Sequence, residues 1–101
     1  MIDIIKAILR SKGINPKDIR ISRINMDVGK GITIPTNDWN MAFEYQDYYI
    51  AIELNELNTR ESWASLVKYY DGDIIYLVDR VELANMSPRE LYEIIEEFIH
   101  R

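Results

Sequence analysis

The chain has 101 residues, 48% of them hydrophobic, with a formal net charge of −5, no cysteine and one histidine. That length supports one domain with one core. The composition excludes disulfides, thiol catalysis and thiolate metal sites, and His100 alone leaves no histidine-based zinc site and no Ser-His or Cys-His nucleophile system. Charge is unevenly spread: residues 1–37 carry seven Lys or Arg against three Asp, and residues 38–101 carry five against fourteen acids. Such an asymmetry steers partners without deciding a fold.

No run approaches the ~18 apolar residues of a membrane span. The opening MIDIIKAILRSKG has no basic stretch before its apolar residues and no small-residue cleavage site, so a soluble cytoplasmic protein with no membrane partner is expected.

In chain order, Ile2, Ile5, Ile8 and Leu9 recur at helical spacing, with Gly13 as the residue just past the helix end. Asn15-Pro16 turns the chain. Ile19 and Ile21 alternate as in a strand, and Ile24, Met26 and Val28 alternate in the opposite phase, a change that predicts a bulge near Ser22-Arg23. A three-residue Gly29-Lys30-Gly31 loop then sets Val28 opposite Ile32 and Met26 opposite Ile34, and Pro35 ends that strand or confines it to an edge.

The stretch WNMAFEYQDYYIAIEL, from Trp39 to Leu54, is the clearest hairpin signal. An even loop around Gln46-Asp47 pairs Tyr45 with Tyr48, Phe43 with Ile50, Met41 with Ile52 and Trp39 with Leu54, all on one apolar face. The other face then pairs Glu44 with Tyr49, Ala42 with Ala51 and Asn40 with Glu53. An odd loop mixes the two sets.

Asn58 and Glu61 match a capping box, and Trp63, Leu66, Val67 and Tyr70 follow at helical spacing, so a helix ending at Asp71-Gly72 is predicted. DIIYLV, residues 73–78, is apolar on both faces and reads as a central strand covered on each side, with a phase change at Asp79-Arg80. Ser87, Pro88 and Glu90 open the last helix, with Leu91, Ile94, Ile95 and Phe98 as its stripe. The expected architecture is a single α+β domain over residues 1–101, order α-β-β-β-β-α-β-α, whose mostly antiparallel sheet of about five strands is packed by helices.

Motifs for chemistry are sparse. Gly29-Lys30-Gly31 lacks the upstream glycine and following hydroxyl of a phosphate loop, and it lies between strands. Asp71 and Asp73 lack the further oxygen ligands of a calcium loop. Asp79, set within a strand, needs a bulge or a partner but has no visible base beside it. No Asp-x-Lys or Glu-x-Lys of a metal-dependent nuclease occurs. No catalytic residue, metal ligand or cofactor is therefore assigned.

The reading that follows is a non-catalytic small acidic protein acting on another protein, as inhibitor, chaperone or accessory subunit, including of a nucleic-acid-binding protein. The expected docking residues are Glu44, Tyr49 and Glu53 on the outer hairpin face with Glu93, Glu96 and Glu97 on the last helix. The alternative is a nucleic-acid-associated accessory using a basic N-terminal face of Lys6, Arg10, Arg20 and Arg23 to hold anions. Nucleic acid ranks second because the whole chain is acidic. A symmetric homodimer through edge strands stays open.

Overall fold

The structure is a computed structural model that describes residues 2–55 and 62–100. Two helices bracket a five-stranded antiparallel sheet: α1 Ile2–Ser11, then β1 Arg20–Asp27, β2 Thr33–Tyr45, β3 Tyr48–Asn55, β4 Trp63–Tyr70 and β5 Asp73–Glu82, and finally α2 Pro88–His100. The strands are ordered β1-β2-β3-β4-β5, a meander with β1 and β5 at the edges.

Both helices end and begin as their sequences require. The Ile14 amide donates to the Leu9 carbonyl and the Gly13 amide to the Arg10 carbonyl, with Gly13 at φ 87, which is a Schellman closure of α1. At the start of α2 the Glu90 amide donates to the Ser87 hydroxyl, which in turn donates to the Glu90 carboxylate.

Both helices lie on one side of the sheet. Ile5, Ile8 and Leu9 of α1 and Leu91, Ile95, Phe98 and Ile99 of α2 form one cluster with Met41, Phe43, Ile50, Ile52, Leu54 and Leu66. Because strand side chains alternate, Asn40, Ala42, Glu44, Tyr49, Ala51 and Glu53 face the other way. No described helix covers that second face.

The predicted hairpin register is the observed one: Trp39↔Leu54, Met41↔Ile52, Phe43↔Ile50 and Tyr45↔Tyr48, with Glu44↔Tyr49 on the opposite side. The first hairpin also matches, with Met26↔Ile34 paired and the Val28 amide bonded to the Ile32 carbonyl. Its irregularity falls between Arg23 and Asn25, where Thr36 donates to the Ile24 carbonyl and accepts from the Asp38 amide. Pro35 does not end the strand. It lies inside β2, in the portion before Asp38 where β1 is its partner and β3 has not begun to pair.

Two expectations are corrected. The segment from Trp63 to Tyr70 is a strand, not a helix, and Asp71-Gly72 is a hairpin turn with both φ angles positive, 51 and 82, as a two-residue type I′ turn needs. An unbroken register from that turn would set Lys68 beside Ile75; a shift between Lys68 and Tyr69 instead makes Ile75 the extra residue, and Lys68 opposes Tyr76. The proposed cap at Asn58 and Glu61 lies outside the described residues. Second, β5 is an edge strand rather than a covered central one. Its two-sided apolarity leaves Ile74, Ile75 and Leu77 about half exposed.

Candidate functional site: the open sheet face

Alternation and register build the uncovered face row by row. One row crosses all five strands, Arg20↔Ala42, Ala42↔Ala51, Ala51↔Val67 and Val67↔Leu77. The next, nearer the turns, runs Glu44↔Tyr49, Tyr49↔Tyr69 and Tyr69↔Ile74. Small residues in the middle leave a depression, and Ala42 and Ala51 are still only 3% and 7% exposed because larger neighbours overhang them.

That depression is a cleft of about 590 Å³. Its aromatic rings are those of Tyr49 and Tyr69, which meet at 6.0 Å with a 56° tilt. Among the described residues its acids are Glu44, Asp47, Glu53 and Asp71, and no Lys or Arg lines it. The Arg20 guanidinium reaches across Ala42 to lie 5.5 Å from the Tyr49 ring centroid, flanking the cleft without lining it. Asn40 also lines the cleft, and its Oδ1 is buried with no hydrogen-bond partner among the described residues. An orphan acceptor of this kind costs ~1–3 kcal/mol, which a bound donor would recover.

The structure brings together three of the six residues expected to dock a protein. Glu44, Tyr49 and Glu53 share the cleft. Glu93, Glu96 and Glu97 belong to α2, on the far side of the sheet, and all three are engaged within the chain. Glu96 accepts from Lys12 at 2.6 Å, tying the end of α1 to α2, and Glu93 pairs with Arg89 at 3.4 Å. The acidic helix surface is therefore separate from the hairpin surface and partly neutralised.

The four cations expected to hold anions do not share a face. Lys6 and Arg10 lie on α1 in the helix layer. Arg20 is on the open face over Tyr49, and Arg23, three positions on, points to the opposite side, with its guanidinium 4.7 Å from the Trp39 ring. Asp79 is exposed rather than buried. It accepts from the Ser65 hydroxyl at 3.1 Å, beside a register shift in which Arg80 takes φ 48.

Sequence reasoning missed Tyr69 and Asp71 as members of the cleft, because both fell in a segment read as helix. The usable signal was Val67, Tyr69 and Tyr70 ahead of Asp71-Gly72, which are strand-favouring residues before a hairpin dipeptide.

Among the described residues no three His, Cys, Asp or Glu side chains converge to hold a metal ion, and no helix is long and apolar enough to cross a membrane. No family model, curated protein or solved structure matches this chain.

Proposed function

We propose that this chain is a non-catalytic interaction protein that presents its open sheet face to another protein and seats a cationic side chain of that partner in the cleft. The observation that carries this reading is the lining: among the described residues, the rings of Tyr49 and Tyr69 with the carboxylates of Glu44, Asp47, Glu53 and Asp71, and no lysine or arginine. A guanidinium or ammonium against tyrosine rings gains ~0.5–2 kcal/mol from the ring quadrupole. Carboxylates at the rim add attraction and speed encounter. Tyrosines in a depression are also the residue type that anchors protein interfaces. An inhibitor, chaperone or accessory-subunit role all use such a surface.

The test is a pair of short capped peptides, Ile-Arg-Ile and Ile-Glu-Ile, titrated into isotopically labelled protein. The arginine peptide is expected to shift the amide signals of Glu44, Tyr49, Glu53 and Tyr69, with the shifts reduced in Glu44→Lys/Glu53→Lys and at high salt. Equal response to the glutamate peptide, or shifts located away from the cleft, would overturn the reading.

A further inference from the structure

The β1–β2 hairpin extends past the body of the sheet as a two-stranded arm. Along it Met26 pairs with Ile34 and Val28 with Ile32, and these four side chains share one side. Each is between 43% and 57% exposed. The register shift at Ile24 skips an even number of residues, so the even-numbered arm positions keep the parity of Asn40 and Ala42 on the open face. The arm therefore prolongs the open face with an apolar stripe that no described element covers. Isolated two-stranded ribbons are marginal in water, and an apolar stripe of this length marks a contact surface.

At the apex of the arm sits Lys30, at φ 55, between Gly29 and Gly31. The chain thus carries, at one end of β2, an apolar ribbon tipped by a cation. At the other end of the same strand it carries a tyrosine-lined cleft whose charged lining, among the described residues, is carboxylate.

We propose that a second copy of this chain occupies the open face, in a two-fold dimer in which each arm lies over the other copy's cleft and presents Lys30 to Glu44, with Glu53 further along the same acidic rim. This rests on the reading of the cleft as a seat for a cationic side chain. The strand lengths suit it. Ile32 and Ala42 are each five residues from Asn37 along β2, ~17 Å at ~3.3 Å per residue, and Lys30 and Glu44 each lie two residues further out. A two-fold axis beside Asn37, in the plane of the interface and perpendicular to β2, sets the arm of one copy over the cleft of the other. The surface is then the same patch on both copies, as an isologous dimer requires. The molecule's two longer dimensions are 41 and 34 Å, which leaves room for the ~800 Å² per partner of a stable interface. Two open faces stacked in this way form a second, inter-chain core, and a basic protein partner competes with the arm for the cleft.

Sedimentation equilibrium over a wide concentration range tests this. Wild type is expected to dimerise. Ile32→Ser/Ile34→Ser and Lys30→Glu each weaken the dimer at least ~10-fold, because apolar contact is lost in the first and like charges meet in the second. Glu44→Lys/Glu53→Lys weakens it likewise. Mixing the Lys30→Glu chain with the Glu44→Lys/Glu53→Lys chain restores association, since both arm–cleft pairs of the mixed dimer are again opposite in charge. All the substituted positions lie on the arm or the cleft rim, outside the core, so circular dichroism is expected to match wild type. A chain that is monomeric at every concentration, or a dimer indifferent to the arm substitutions, overturns the proposal. If the arginine peptide still binds a monomeric wild type, the dimer fails and the docking function stands.

Discussion

The Lys68 ammonium, on a side chain only 2% exposed, donates to the Ile99 carbonyl at 3.0 Å. It stands between Ile50 and Tyr76 on the helix-covered side of the sheet, 4.0 Å from the Tyr48 ring centroid. The last turn of α2 leaves carbonyls without helical partners, and its dipole is negative at that end, so a cation there ties β4 to the helix layer.

Burial holds the Lys68 pKa below its ordinary 10.5. The folded state therefore binds this proton less tightly than the unfolded state. The cost is complete below the folded pKa and is relieved as pH rises toward 10.5. In urea unfolding, wild type is expected to gain stability relative to Lys68→Met as pH is raised across that window. Lys68→Ala, which also removes the buried stem, is expected to cost ~2–4 kcal/mol. A wild-type-to-Met difference that stays flat with pH counts against the assignment.

Lys12 has the opposite sign. Its hydrogen bond to the Glu96 carboxylate, then that to Tyr92, raise its pKa above 10.5, and the ammonium also lies 4.6 Å from the Tyr92 ring. This contribution is complete below 10.5 and is lost as pH rises through the raised folded value. Glu96→Gln is expected to lower the melting temperature near neutral pH, with the gap to wild type closing at strongly alkaline pH. A gap that widens with pH would contradict the clamp.

Ser65 holds the second β4–β5 irregularity. Its hydroxyl accepts from the Arg80 amide at 3.2 Å and donates to Asp79, from a side chain that is itself buried. Ser65→Ala leaves the Arg80 amide without that partner and is expected to cost ~1–2 kcal/mol in urea unfolding. Asp79→Asn, which preserves an acceptor for the hydroxyl, is expected to cost less. The reverse ranking would place the weight on the Asp79 charge instead.

The legible parts of this fold are those where two independent patterns had to agree. The β2–β3 register follows from Trp39 to Leu54 alone, because one slip moves every apolar side chain to the wrong face. That register also puts Glu44, Tyr49 and Glu53 on one surface. The segment from Trp63 to Tyr70 satisfies a helical stripe and a strand at once, since Leu66 serves the covered face and Val67 the open one. Only the pairing of β4 with β3 and β5 decides between them. Ile75 carries no local mark of being the extra residue of a bulge, and with β4 misread, Tyr69 and Asp71 could not be placed in the cleft. Glu96 and Lys12 are 84 positions apart, so no local pattern announces that one of the expected docking acids is already bound.

The β2–β3 turn offers the most direct check on local backbone geometry. Gln46 closes a two-residue hairpin turn with φ 56, a region where a side chain crowds the backbone by ~1–2 kcal/mol and which glycine or asparagine enters more easily. Gln46→Gly is expected to raise stability by ~0.5–1 kcal/mol, the relief of that crowding being partly offset by the greater freedom of glycine in the unfolded chain. Gln46→Val, β-branched at the same angle, is expected to lower it by more than ~1 kcal/mol. The measurement is the urea midpoint of each variant at constant slope. If glycine destabilises and valine is tolerated, the turn is not the one described, and the face that carries Glu44 and Tyr49 loses the register that defines it.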